Sequence, residues 1–115
     1  MNPLAETKYG RVEGFTEDGI NKWFGIPYAK PPLGDLRFKR TAKCESWKGI
    51  KETKKHGSKP HQFMRINVTS IPASEDCLYL NIWAPAHASR LPVFVWIYGG
   101  GYHIGECSDP SYDGT

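Results

Sequence analysis

WIYGGGYHIG, residues 96–105, passes directly from an apolar run into three consecutive glycines. Each glycine loses more backbone entropy on folding than any other residue, so three in succession need a local cause. One cause is a tight turn after a strand. The other is chemical: without a Cβ, the backbone comes close to a reacting group and turns its N–H donors towards it. The apolar run begins earlier, and VFVWIY (93–98) has no polar interruption, the pattern of a strand covered on both faces in a mixed or parallel sheet. Such a strand needs helices over it, and no long amphipathic helical pattern occurs in the 115 residues. The cover is therefore expected to lie outside this sequence.

Working back along the chain, CLYLNIW (77–83) is β-prone throughout and closes at Ala84-Pro85, which predicts a strand ended by proline. GRVEGFTEDGINKWFGIPY (10–28) carries Asp18-Gly19 between two β-prone stretches, the dipeptide that a two-residue hairpin turn favours because both residues accept positive φ. An antiparallel hairpin is expected there. AKPPLGDLRF (29–38) crowds Pro31, Pro32 and Gly34 together and predicts an irregular connection into Leu36-Arg37-Phe38. KGIKETKKHGSK (48–59) concentrates lysine around Glu52 and His56 without interleaved aromatic residues, so it reads as a solvated surface turn or short helix rather than a nucleic-acid patch.

A composition with 39% hydrophobic and 13% aromatic residues is that of one ordinary small globular domain. The net charge of +3 is too small and too mixed to point to nucleic acid or a membrane surface as partner. MNPLAETKYG has no apolar h-region or cleavage pattern, and no stretch reaches the roughly 18 apolar residues of a membrane span, so a cytoplasmic chain is expected. Cys44, Cys77 and Cys107 form no CxxC pair and leave one over in any pairing, which suggests neither a disulfide framework nor zinc. His56 and His61 lack a carboxylate or cysteine at a matching offset and read as surface histidines. Asn67-Val68-Thr69 is formally a glycosylation sequon, and with no secretion signal in the sequence it is expected to carry no meaning. With no nucleotide, flavin or metal motif, no cofactor is expected.

Three stretches taken together, GIPYAKPPLGDLRF (25–38), SEDCLYLNIWAP (74–85) and PVFVWIYGGGYHIG (92–105), resemble the N-terminal region of type-B carboxylesterases, the family of bacterial para-nitrobenzyl esterases and cholinesterases. The likeness covers essentially the whole chain and keeps the order and spacing of all three motifs. It implies an α/β-hydrolase fold: a mixed, mostly parallel sheet flanked by helices, with a small antiparallel sheet in front. By resemblance, residues 10–28 form the small sheet, while 77–83 and 93–98 are early strands of the large one. The whole of 1–115 is then the N-terminal part of a single α/β-hydrolase domain, stopping before the nucleophile elbow.

The resemblance also assigns the glycine run. It implies that Gly100 and Gly101 donate backbone N–H groups to the oxygen that becomes negative when an ester carbonyl is attacked, the oxyanion hole. Tyr98 stands where bacterial members carry His and cholinesterases Tyr, and Tyr102 replaces a commoner Phe. Both are candidates to line the substrate pocket, with packing beneath the loop as the alternative. Arg37 and Glu75 match an ion pair of the family, expected here to be buried and structural. Cys77 matches a half-cystine of secreted members, but Pro60 stands where its partner would fall, so the disulfide is not expected.

Ester hydrolysis in this family needs a serine in a G-x-S-x-G elbow, then an acid and a histidine. None of the three is identifiable here: Gly105-Glu106-Cys107-Ser108-Asp109 lacks the closing glycine, and Ser108 with His103 as base has no orienting partner. The expected function is a serine carboxylesterase acting on a small-molecule carboxylic ester, with the triad supplied by the remainder of the esterase, covalently or as a separate chain. The 115 residues alone are expected to be inactive and to fold poorly, through the exposed edge at 93–98. The alternatives are a non-catalytic cholinesterase-like binding protein and an inactive truncated gene product.

Overall fold

Residues 2–63 and 69–115 are described by a computed structural model; the first two residues of the Asn67-Val68-Thr69 sequon lie outside the described residues. Among the described residues six strands, β1 (Leu4–Thr7), β2 (Gly10–Glu13), β3 (Phe15–Glu17), β4 (Ile20–Pro27), β5 (Ile50–Glu52) and β6 (Tyr79–Pro85), form two three-stranded sheets. The first has the order β1-β2-β5, with β1 and β2 antiparallel and β2 and β5 parallel. The second, β3-β4-β6, is antiparallel throughout.

The hairpin forms where Asp18-Gly19 predicts it. Glu17 pairs with Ile20, and the two turn residues take φ of 49° and 76°, the left-handed values a two-residue turn requires. The hairpin is β3–β4, however, and not part of the small front sheet. Residues 10–28 divide between the two sheets at Gly14, whose N–H donates to Pro3 O at 2.9 Å as the last rung of the first sheet. A Cβ on Gly14 would stand 2.1 Å from the Lys22 carbonyl oxygen, so only glycine lets the chain bend from one sheet into the other. The segment read as a surface turn or helix contains β5 instead. Its following residue, Thr53, is 1% exposed and accepts from Phe24 N at 2.7 Å while donating its own N–H to Glu13 O at 2.8 Å, which ties the two sheets together.

Val12, Trp23 and Ile26 make the buried core, with Ala5, Trp47 and Ala84 packed against it. Side chains of this size each contribute about 1.5–3 kcal/mol when fully buried. His56 is no surface histidine: its ring stacks on Phe24 at 4.2 Å and 12°, half-buried beside β4. Gly34–Leu36 forms one 3-10 turn in the proline-rich connection, and Pro110–Tyr112 forms another.

The strand expected at 77–83 is β6, displaced by two residues and ending at Pro85. It pairs along β4 from Ile20↔Pro85 to Pro27↔Tyr79, with an irregularity between Trp23 and Ile26. The strand expected at 93–98 does not form. Val93, Phe94, Val95 and Ile97 are 74–87% exposed, and this segment enters no ladder among the described residues. A doubly covered strand needs a hydrogen-bonding neighbour on each edge and an apolar layer on each face. The described residues offer neither to this run.

Candidate active site

The glycine run sits on a closed loop, residues 99–105. Gly100 O accepts from His103 N at 3.0 Å and from Ile104 N at 3.2 Å, turning the chain back on itself. Gly100 has φ 135° and Gly101 φ 60°, backbone that L side chains rarely adopt. A Cβ on Gly100 would lie 1.8 Å from Ile104 O, whereas one on Gly101 would meet nothing within 4 Å. Gly100 therefore has no room for a side chain because of the loop itself, and Gly101 faces open space.

That space is a cavity of about 340 Å³ bordered by Tyr98, Gly99, Gly100, Gly101, Tyr102 and Ile104. Among the described residues, the N–H groups of Gly100 and Gly101 meet no acceptor. Two unspent donors on successive residues at the wall of an open cavity can receive an oxygen in which negative charge develops.

The two tyrosines differ in placement. Tyr98 is half-buried beneath the loop, close to the point where it closes, and burial pushes its phenol pKa up, so its hydroxyl stays protonated at neutral pH. Tyr102 stands fully exposed at the loop tip with φ 65°. Both border the cavity, Tyr98 from within the fold and Tyr102 from solvent. Arg37 Nε donates to Glu75 Oε1, neither residue bordering the cavity, and the side chains are 57% and 38% exposed. The expected burial of this pair is thus corrected: the proline-rich connection carries Arg37 along the surface, where its charge keeps much of its water.

Ser108 and His103 form no catalytic pair. The Ser108 hydroxyl donates to Glu106 Oε2 at 2.8 Å, and His103 lies in the exposed turn. Among the described residues no group of three or more His, Cys, Asp or Glu could hold a metal ion. All three cysteines are free, and burial raises the pKa of Cys77 and Cys107, keeping them as thiols.

The support of the loop was not visible in the sequence. The Gln62 carboxamide donates to Gly105 O at 2.7 Å and accepts from Gly105 N at 3.2 Å. Glu106, 4% exposed, accepts from Thr69 Oγ1 at 2.8 Å and stands 3.7 Å from Lys59 Nζ. Asn81 of β6 donates to Cys107 O at 3.0 Å and accepts from Gly25 N at 3.0 Å. Partners 26 to 56 residues apart leave no local spacing to read. A polar residue within the run after the glycines, Glu106, was the one signal available.

The family model described as the carboxylesterase family matches residues 1–115. Para-nitrobenzyl esterase of Bacillus subtilis is 45% identical, the match covering 97% of this chain and 24% of that protein. Acylcarnitine hydrolase of Mus musculus is 40% identical over 99% of this chain and 24% of its own length. Acetylcholinesterase of Danio rerio is 38% identical over 96% of this chain and 20% of its own length. Among solved structures, a thermophilic PNB esterase superposes with TM-score 0.92 at 42% identity, and Geobacillus stearothermophilus carboxylesterase EST55 with 0.88 at 42%. Each superposition covers 97% of this chain, and 24% and 22% of the respective neighbour. The chain thus spans about a quarter of the length of the relatives it matches and shares their α/β-hydrolase fold over that part.

Proposed function

The chain belongs to the carboxylesterase family, and from that premise we propose that it is the front part of a serine ester hydrolase, carrying the oxyanion donors of the active site. The observation that carries this reading is the pair of unspent N–H groups at Gly100 and Gly101 on the wall of an open cavity. When a nucleophile attacks a small-molecule carboxylic ester, the carbonyl oxygen gains charge, and donors fixed about 2.7–3.1 Å from its new position stabilise it. Each such donor is worth about 3 kcal/mol of barrier, or a factor of 10² to 10³ in rate. Tyr98 and Tyr102 line the substrate cavity, Tyr98 with a protonated hydroxyl. Arg37 and Glu75 brace the connection between the hairpin and β6.

Serine, acid and histidine come from residues beyond these 115, in the same domain. The protein is cytoplasmic in this reading, which three free cysteines suit; among the described residues no helix is long and apolar enough to cross a membrane.

The test is an intact-mass and activity measurement on the protein from its native source, with p-nitrophenyl acetate as substrate and a serine-directed phosphonate as label. The expected result is a mass several times 13.0 kDa, one covalent adduct, and ester turnover that the label abolishes. A species of 13.0 kDa with no adduct and no turnover would overturn the proposal.

A further inference from the structure

The loop that bears Gly100 and Gly101 has little of its own to hold it. Its internal hydrogen bonds all run to one acceptor, Gly100 O, and its tip residues Tyr102 and His103 are exposed. The strand-like segment before it, 93–97, is unladdered among the described residues. Donors aimed at a developing charge act only if they are fixed before the reaction, so the rigidity must come from elsewhere.

The closure point of the loop is Gly105. A Cβ there would stand 2.5 Å from Gly99 O and 2.6 Å from the Tyr98 ring, so Gly105 lies directly against the residue that opens the glycine run. Whatever fixes Gly105 fixes both ends of the loop at once. Gln62 does this with both atoms of its carboxamide, giving Gly105 the reciprocal pair of bonds that a neighbouring strand would give. The segment bearing Gln62 is itself anchored: Lys59 N donates to Pro72 O at 3.1 Å, and Ser74 N to Lys59 O at 2.9 Å. The next loop residue, Glu106, returns to the same segment, its buried carboxylate 3.7 Å from Lys59 Nζ. Two successive residues at the loop exit are therefore tied to one short stretch, 59–62, more than 40 residues earlier in the chain.

We propose that Gln62 is a positioning residue of the oxyanion loop, its carboxamide standing in for a neighbouring strand at Gly105 and so fixing the Gly100 and Gly101 donors; this rests on the ester-hydrolase reading above. Gln62 touches no reacting atom. Its effect passes through Gly105 to the glycine run, and it is felt when charge develops rather than when substrate binds.

The experiment compares the whole esterase with its Gln62→Ala and Gln62→Glu variants. With p-nitrophenyl acetate, Gln62→Ala is expected to lower kcat by about 10- to 100-fold while KM stays within about twofold, because the loss falls on the transition state. Gln62→Glu keeps an acceptor for Gly105 N–H but sets a carboxylate against Gly105 O. Its rate relative to the parent at each pH is expected to rise as the solution is acidified and the carboxyl regains a donor proton. Hydrogen exchange supplies an arm independent of turnover: the hydrogen-bonded loop amides of His103, Ile104 and Gly105 are expected to exchange at least about 10-fold faster in Gln62→Ala, with those of β3 and β4 unchanged. Unchanged kcat together with unchanged exchange at His103, Ile104 and Gly105 overturns the proposal. So does faster exchange across both sheets, which would mean general unfolding. A parent protein with neither turnover nor phosphonate adduct overturns the ester-hydrolase reading instead, and the exchange arm alone then decides whether Gln62 clamps the loop.

Discussion

Alanine at Gly100 and alanine at Gly101 are the same chemical change one residue apart, and the structure gives them different consequences. At Gly100 the new Cβ would lie 1.8 Å from Ile104 O, well inside contact distance, so the turn must open by more than an ångström. Opening removes the two bonds that Gly100 O accepts from His103 and Ile104, at about 1 kcal/mol each. Holding alanine at φ 135° would cost a further 1–3 kcal/mol or so. The loop therefore rearranges, and the Gly100 and Gly101 donors leave their places. Loss of one oxyanion donor alone corresponds to about 10²–10³ in kcat, so Gly100→Ala is expected to lose at least this much.

At Gly101 the new Cβ meets nothing, and φ 60° costs an alanine only about 1–2 kcal/mol. The loop stays, but a methyl group now occupies the cavity wall where the carbonyl must approach; a displacement of about 1 Å there costs on the order of 10² in rate. Steady-state kinetics on a short acyl ester, paired with hydrogen exchange at the His103 and Ile104 amides that Gly100 O holds, separates the two cases. Gly100→Ala should lose activity and protection together, and Gly101→Ala activity alone. A Gly100→Ala enzyme that retains kcat/KM within about threefold of its parent would refute the assignment of this loop to the oxyanion.

Acid should weaken the packing around β4. Burial lowers the His56 pKa below its ordinary 6.5, with the Asn81 side chain opposing, and Nδ1 has no partner among the described residues. The unfolded chain then binds the proton first, so stability is complete above about pH 6.5 and is lost as pH falls from there through the folded value. Thermal melts from pH 7.5 to 5 should show this decline, and His56→Phe, which keeps the stack on Phe24, should flatten it; equal slopes in both proteins would remove His56 as the cause. Thr53→Val deletes the 2.9 Å bond from Oγ1 to Glu13 O and keeps the shape, so denaturant unfolding should report a loss of about 1 kcal/mol. The exposed Arg37–Glu75 pair should be worth no more than about 1 kcal/mol in a double-mutant cycle. A coupling above about 3 kcal/mol would show that other parts of the protein bury it.

What could be read from the sequence was what depends on neighbours in the chain. Asp18-Gly19 encodes its turn in two residues, and the β-prone run ending at Ala84-Pro85 encodes β6 apart from two residues at its start. What failed depended on distant groups. VFVWIY has the composition of a central strand, but composition supplies no ladder partner, and these residues stand exposed. The lysine-rich segment looked like a solvated turn because its strand, β5, is made by pairing with Arg11, Val12 and Glu13, and its side chains remain exposed. His56 looked like a surface histidine because its partner, Phe24, lies 32 residues away on another element. Gly14, inside what read as a continuous hairpin segment, marks the change of sheet, and its cause is the Lys22 carbonyl that comes within reach only after folding.

The same division governs the candidate site. The glycines stand out in the sequence as a run of three, and the structure gives two of them positive φ, a property of single residues. Their rigidity is not legible, because it is borrowed. Gln62 reaches Gly105 across 43 residues, and Asn81 joins Cys107 O to Gly25 N, so the hairpin sheet and the loop exit share one side chain. A loop with free donors and few bonds of its own can be precise only if its exits are held by groups from separately stabilised elements. On that logic the β3–β4 hairpin supports the proposed site from outside the cavity lining. A substitution that shifts β4 at Gly25 should be felt at Cys107 and then at Gly100, and Asn81→Ala should lower kcat more than it raises KM. An Asn81→Ala enzyme whose loss lies entirely in KM would place Asn81 in substrate binding and break this chain of support at its first link.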